Sequence, residues 1–536
     1  MSIYSNKMAK ERMPGMVKPL VWDINVLLFN SSWKRILVEL VGEYAQTMDI
    51  NQMSKVFYYR AYFNMGLIGS IFEILGMPRE SIEIVLGVKR GTQRKGFRPS
   101  IKIMRFLPRL SLFALRRFTF SRGLSRFLGA QRDRLALLRL KDIEEFDIES
   151  TLRHIEELID VNREASYFTI NAQMIAGFFN FVLDRYSRIV KVDSRGLNID
   201  HEAERTRDID PNYYLSLLHE EYLRLPQSVN SKIYEMDIPR LYRSLEGTAF
   251  GKAFSDFLAK FGHFSDASSD FSRAQWSEKP DLVLGMIKDY KETRPPEGNA
   301  EGSSLFKNPS DMITLRLLYS YASKYIEYSK RMSYVQSYGF SFFRETFLHL
   351  GRLLKEGGFL RDEHDIFYLT FEELNILCRS GHMPSYRDSI ELRKDEMMKY
   401  ADLVLPEIIY GETSPVPLTK KNVLTRLVGV AASRGHYEGR VKVVKKVEDF
   451  NKVEQGDVLV VPYPHANWAP LFTKIKALIS ESGGILSHCS ILAREYKIPA
   501  VVAVSDALEL KDNMRVVVDG YSGEIIVVEQ ASVSPG

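Results

Sequence analysis

Cysteine is nearly missing from this chain: Cys378 and Cys489 are the two present among 536 residues, and no CxxC pair occurs. So low a count excludes a disulfide framework and argues against a structural zinc site, which makes a reducing compartment, the cytoplasm, the expected location. Long apolar runs are missing too. No segment reaches the about 18 uninterrupted apolar residues of a spanning helix, and no signal-peptide core opens the sequence, so neither membrane insertion nor secretion is expected. Acidic residues are scarce in one place, since Lys89 to Lys141 holds sixteen Lys or Arg against Asp133 alone. The whole chain has 73 basic and 68 acidic residues, so the remainder carries 57 against 67 and the net +5 comes from that one segment. Internal repeats and low-complexity tracts do not occur.

What is present belongs to a globular protein. Apolar residues make up 45% and aromatics 12%, enough for packed cores, and the length points to several domains. From Trp22 to about Tyr410 the pattern is mostly helical, with apolar residues at Ile155, Leu158, Ile159 and Val161 in one stretch and few breakers from Met312 to Glu356. A soft boundary near residue 150 divides this region into 1–150, with the basic segment 89–141, and 151–410. The proline-bearing stretch 411–428 reads as a hinge linker. Short β-branched runs then follow at close spacing, including Val441 to Val444, Val458 to Val461 and Val516 to Val518, so 429–530 is expected to be a compact α/β domain.

Within that domain Ser482-Gly483-Gly484-Ile485-Leu486-Ser487-His488 runs into good helix formers that end before Ile498-Pro499, which puts His488 at a helix start. Gly483 and Gly484 allow close backbone approach, and the unpaired N–H groups of a first helical turn suit a phosphoryl group. Imidazole is a competent nucleophile near neutral pH, and the Ser487 hydroxyl is placed to steady the product. A lone histidine after two glycines is more often an ordinary helix-terminus residue. The whole string from Ser482 to Val502, however, closely resembles the phosphohistidine swivelling domain of the phosphoenolpyruvate-utilising enzymes, a dikinase-like family that includes phosphoenolpyruvate synthase, pyruvate phosphate dikinase and rifampin phosphotransferase. Gly429 to Gly435, Pro462 to Phe472 and Val516 to Gly523 extend the resemblance over Gly429 to Val528.

The resemblance implies that His488 is phosphorylated, with Ser487 beside it and Gly483, Gly484 and Arg494 supporting the phosphate loop. Six residues separate Arg494 from His488, which suits a salt-bridge or docking role better than direct contact with phosphate. Weaker strings, Met13 to Trp22, Arg60 to Asn64, Phe261 to Asp266 and Asp365 to Leu374, resemble the acceptor-binding middle region of the same family. On that basis Arg60 and Asn64, four apart on one helix face, are candidates to grip an anionic acceptor. His263 with Asp266 and Asp270 is a candidate acid/base group for an acceptor hydroxyl. Packing and capping are the competing explanations for both sets.

Full-length members carry an ATP-grasp module, and no such sequence is legible here. Gly247 to Ala253 approaches a phosphate loop but misses one spacer and the magnesium-binding Ser or Thr. The resemblance therefore implies a dikinase-like phosphotransferase subunit that passes an ATP-derived phosphoryl group through His488 to a small-molecule acceptor. ATP and magnesium would reside on a separate ATP-grasp, nucleotide-binding chain. A non-catalytic phosphocarrier or regulatory protein is the alternative. No metal site and no nucleic-acid partner is expected; the basic segment, with a helix opened by Pro108, suits a solvated face or a dock for an acidic partner.

Overall fold

The computed structural model describes residues 2–6, 9, 13, 15–74, 103–190, 205–225, 245, 247–265, 267–288, 290, 309–380, 386–401, 403, 405–406, 408–415, 426–463, 466–484 and 487–529. For some residues within helices and strands, His488 among them, it describes the backbone alone. A mostly helical N-terminal region precedes a sheet-rich C-terminal unit, as the sequence implies.

The helices are α1 (Pro19–Val41), α2 (Met65–Ile74), α3 (Ile103–Arg139), α4 (Ile148–Val190), α5 (Pro211–Leu223), α6 (Ala249–Phe261), α7 (Pro280–Lys288), α8 (Pro309–Glu356), α9 (Phe371–Ser380) and α10 (Tyr386–Tyr400). Three- and four-residue spacing of Phe120, Leu124, Phe127, Leu135 and Leu138 buries one side of α3. That side meets α4 at Ala165 and Ala172 and α8 at Tyr325 and Met332. Pro108 does not open this helix. It lies inside α3, five residues beyond Ile103, close enough to the start that a single carbonyl partner is lost. The boundary expected near residue 150 also fails, because one apolar cluster joins Leu20 and Ile24 of α1 to Ile155 and Leu158 of α4 and Phe343 and Phe347 of α8.

Four short strands, β1 (Ile3–Ser5), β2 (Ser54–Phe57), β3 (Arg60–Asn64) and β4 (Ile408–Tyr410), form an antiparallel sheet in the order β2-β3-β1-β4. Arg60 and Asn64 therefore stand on a strand, not on the expected helix. Aromatic and β-branched residues dominate here, and Tyr58 (φ 48°) and Tyr59 (φ 60°) make the two-residue turn with both φ positive that matches strand twist.

The C-terminal unit comprises β5 (Arg426–Val428), β6 (Val430–Ser433), β7 (His436–Val443), β8 (Val458–Val461), β9 (Ala477–Ser480), α11 (His488–Glu495), β10 (Ala500–Val502), β11 (Arg515–Asp519) and β12 (Glu524–Glu529). Its sheet order is β5-β12-β11-β7-β8-β9-β10-β6, with β7 through β10 parallel. Because Arg426, Leu427 and Val428 pair with β12, the unit starts three residues before the expected Gly429 and shortens the linker; residues 416–425 lie outside the described residues.

Strand alternation then positions the site. Val458 and Val460 of β8, Ala477 and Ile479 of β9 and Val501 of β10 point into one core, closed by Ala507 and Leu510. Their neighbours Leu459, Val461, Leu478, Ala500 and Val502 point to the other face, which carries α11. That second core continues into the helical region through Phe450, Leu471, Leu282 and Met286, so the two regions meet on the α11 face of the sheet.

Candidate functional site

The site is assembled at the end of β9, whose four residues are buried. Ser482 leaves the strand with its N–H and Oγ both donating to the Pro462 carbonyl, at 3.1 and 2.7 Å. Gly483 follows with φ +99°, a conformation that a side chain would strain. A Cβ at Gly484 would meet nothing within 4 Å, so this position keeps the space beside the loop open. Ile485 and Leu486 lie outside the described residues.

Ser487 is the residue before α11, extended at φ −65° and ψ 155°, and His488 is the first residue of the helix, as expected. The Ser487 side chain makes no cap bond to the helix, so the first-turn N–H groups are not occupied by it. Its Oγ lies 2.7 Å from Ser490 Oγ, which itself donates to the Gly484 carbonyl at 2.8 Å. With the Ser490 hydrogen committed, Ser487 is the donor between the two hydroxyls. Ser490 was not singled out from sequence. Its position three residues after Ser487, one helical turn on, is the signal that points to it.

Arg494 Nη1 donates to the Ala432 carbonyl at 2.8 Å and fastens α11 to β6. Cys489, Leu492 and Ala493 are buried beneath the helix. At its far end Glu495 lies 3.9 Å from Lys330 of α8, and Tyr496 is half-buried near Tyr290 and Asp210, desolvation first and these neighbours next pushing its hydroxyl pKa up. Lys279 and Glu448 pair across the same junction, and a cleft of about 170 Å³ lined by Asp281, Gly285, Asn451 and Lys474 lies beside them.

The helical-region candidates are dispersed. Arg60 donates to the carbonyls of Tyr58, Tyr400 and Ala401, which fastens β3 to the end of α10. Asn64 donates to the Gln52 carbonyl and accepts from Leu67 N–H at the start of α2. Both side chains are committed to backbone groups. His263 is buried against Phe264, Tyr334 and Tyr338, with ring centroids 4.6, 5.1 and 5.1 Å away. Burial pushes its pKa down to about 3, with the Lys260 carbonyl opposing and Arg139 assisting, so the ring is neutral at physiological pH. Asp270 instead accepts from Ser272 and pairs with Arg273, and Asp266 lies outside the described residues. The expected His263–Asp270 acid/base pair does not form, because the imidazole packs into an aromatic box on α8 and the carboxylate is taken up in its own turn. The near-match to a phosphate loop is an ordinary helix start, with Thr248 Oγ1 accepting from Gly251 N–H at 2.9 Å.

Residues 453–523, which include the whole loop and α11, match the family model for the PEP-utilising enzyme, mobile domain, and residues 227–306 match that for the rifampicin phosphotransferase fourth domain. A rifampicin phosphotransferase of Bacillus subtilis (strain 168) is 34% identical over 304 residues, covering 52% of this chain and 34% of its own length. One of Bacillus cereus is 31% identical over 299 residues with the same shares, and an uncharacterized phosphotransferase of Bacillus subtilis (strain 168), YvkC, is 28% identical over 332 residues, 57% of this chain and 39% of its own. The chain thus spans little more than a third of the length of the curated relatives it matches. With a mobile-domain match placed over a glycine loop that leads into His488, and with relatives named as phosphotransferases, the chain fits the PEP-utilising enzyme family.

Proposed function

We propose that this chain is a phosphotransferase subunit in which His488 carries a phosphoryl group from a nucleotide-binding partner to a small-molecule acceptor held by the helical region. The observation that carries this reading is the placement of His488 as the first residue of α11, after a loop with an open side at Gly484 and first-turn N–H groups left without a side-chain cap. ATP and magnesium belong to the partner in this reading. The partner brings an activated phosphoryl group, and the work of this chain is to present a neutral imidazole nitrogen, to hold the anionic product on backbone N–H groups and the Ser487 hydroxyl, and to carry it to the acceptor. In the second half-reaction an acceptor hydroxyl oxygen attacks phosphorus as the P–N bond breaks, and the hydroxyl proton passes to the leaving imidazole nitrogen, which restores the neutral ring. Contact between the α11 face and the helical region fits the delivery half of such a cycle. Because the relatives bear its name, rifampicin is the first acceptor to test.

Incubation with the nucleotide-binding partner and ATP is expected to give an acid-labile, base-stable phosphate on this chain, since a protonated phosphoramidate loses its phosphoryl group readily. His488→Ala is expected to abolish both the label and transfer. Label retained on that variant, or acid-stable phosphate on Ser487, overturns the reading. Transfer to no small molecule, with the label intact, favours a phosphocarrier. Calorimetry of this chain alone with magnesium ATP is expected to show no binding.

A further inference from the structure

Five elements bring charged side chains together far along α8 from the α11 contact. Lys18 precedes α1, Asp270 and Arg273 occupy the turn after His263, Arg344 lies on α8, Lys394 lies on α10, and Phe367 and Tyr368 come from the turn before α9. The charges balance in number, four cations against four carboxylates, but Lys394 takes two of the carboxylates and one cation is left without a carboxylate contact. Arg273 Nε contacts Asp270 Oδ2 at 3.1 Å, while Asp270 Oδ1 accepts from Ser272 N–H and Oγ at 3.1 and 2.7 Å. Arg344 holds Glu278 through two bonds of 2.6 and 2.7 Å, and Lys394 holds Asp365 at 2.6 Å and Glu391 at 3.1 Å. Lys18 has no carboxylate of its own among the described residues. Its Nζ stands over the rings of Tyr368 and Phe367, 4.9 and 5.4 Å from their centroids.

We propose that Lys18 binds a compact oxyanion, a carboxylate or phosphate group, which supplies the partner that its ammonium lacks. A half-buried ammonium over an aromatic floor, with no carboxylate against it, gains both acceptor and countercharge from an anion there. Burial lowers the Lys18 pKa, Asp270 opposes, and Arg344, Arg273 and Lys394 lower it further, so the surroundings favour incoming negative charge. The start of α1 has the same sign, with no acidic residue in its first turn and no side-chain cap at Lys18. Arg273 and Lys394 keep 32% and 28% of their side-chain surface accessible, which leaves the group open to solvent on their side.

The site is a property of this chain and stands apart from the phosphotransferase reading. Binding is measured by calorimetry and thermal shift with inorganic phosphate and, separately, with acetate, at ionic strength held constant with sodium chloride. Wild-type protein is expected to bind at least one of the two, and Lys18→Met to weaken that binding by about tenfold or more, the range for losing one charge-assisted hydrogen bond. Preference for phosphate assigns a phosphoryl group, and preference for acetate a carboxylate. Should Lys18→Met fold poorly, acetylation of Lys18 in unmodified protein, read by peptide mass spectrometry, is expected to slow when the bound anion is added, while exposed Lys141 reacts unchanged. Absence of binding by wild-type protein, undiminished binding by Lys18→Met, or unprotected Lys18 overturns the proposal. The His488 label does not depend on this anion, so the two readings fail separately.

Discussion

Ser490 fixes two parts of the glycine loop at once, through Ser487 and the Gly484 carbonyl. Ser490→Ala is expected to lower stability by about 1–3 kcal/mol, the usual effect of stranding a buried polar partner, and to slow labelling of His488 by loosening the loop. Ser487→Ala leaves the Gly484 bond in place and is expected to slow transfer by about 10- to 1,000-fold with a smaller change in melting temperature. Thermal unfolding and a label time course separate the two. His263 acts on pH dependence instead. Its pKa falls from 6.5 to about 3 in the fold, so between those values the unfolded chain binds the extra proton and stability falls as pH falls through that window. The slope from this group is at most about 1.4 kcal/mol per pH unit, and denaturant unfolding of His263→Phe from pH 7 to pH 4 is expected to show a shallower decline than wild type. His488 and its glycines were legible because a contiguous string carries them. Arg60 and His263 were not, since their partners at Tyr400, Ala401, Tyr334 and Tyr338 come from elements remote in sequence.

At the scale of elements, α11 is held by Arg494, whose bond to the Ala432 carbonyl is the kind that contributes about 1.5–3 kcal/mol when the donor is charged. Arg494→Met is expected to lower the melting temperature while leaving the His488 label in place. Loss of the label at unchanged stability instead identifies Arg494 as a phosphate ligand. The parallel strands of the C-terminal unit were readable as β-branched runs, except β9, whose Ala-Leu-Ile-Ser sequence has one β-branched residue and is defined by burial on both faces. The four-stranded sheet left little trace: β1 and β4 are three residues each, and they pair across some 400 positions, with Ser5 opposite Ile408. No local periodicity encodes such a partner. Burial of Phe120 and Leu124 likewise shows which side of the basic helix is core, something its composition did not convey.

Among the described residues, one apolar cluster links the helical region to the C-terminal unit, running from Phe250 and Trp276 to Trp468 and Leu492, with the Lys279–Glu448 and Lys330–Glu495 contacts at its margin. Limited proteolysis near Lys420 or Lys421 is expected to release a C-terminal fragment of about 115 residues that still co-elutes with the remainder on gel filtration. Prompt separation of the pieces at low salt speaks against the docked arrangement. An apolar junction of this kind also has a thermal consequence. In the proposed cycle, swinging the C-terminal unit away would wet Leu282, Met286, Phe450 and Leu471, and wetting apolar surface raises heat capacity. The open fraction then passes through a minimum, growing on cooling as well as on heating, and wherever departure of the domain limits turnover the Arrhenius plot bends instead of running straight.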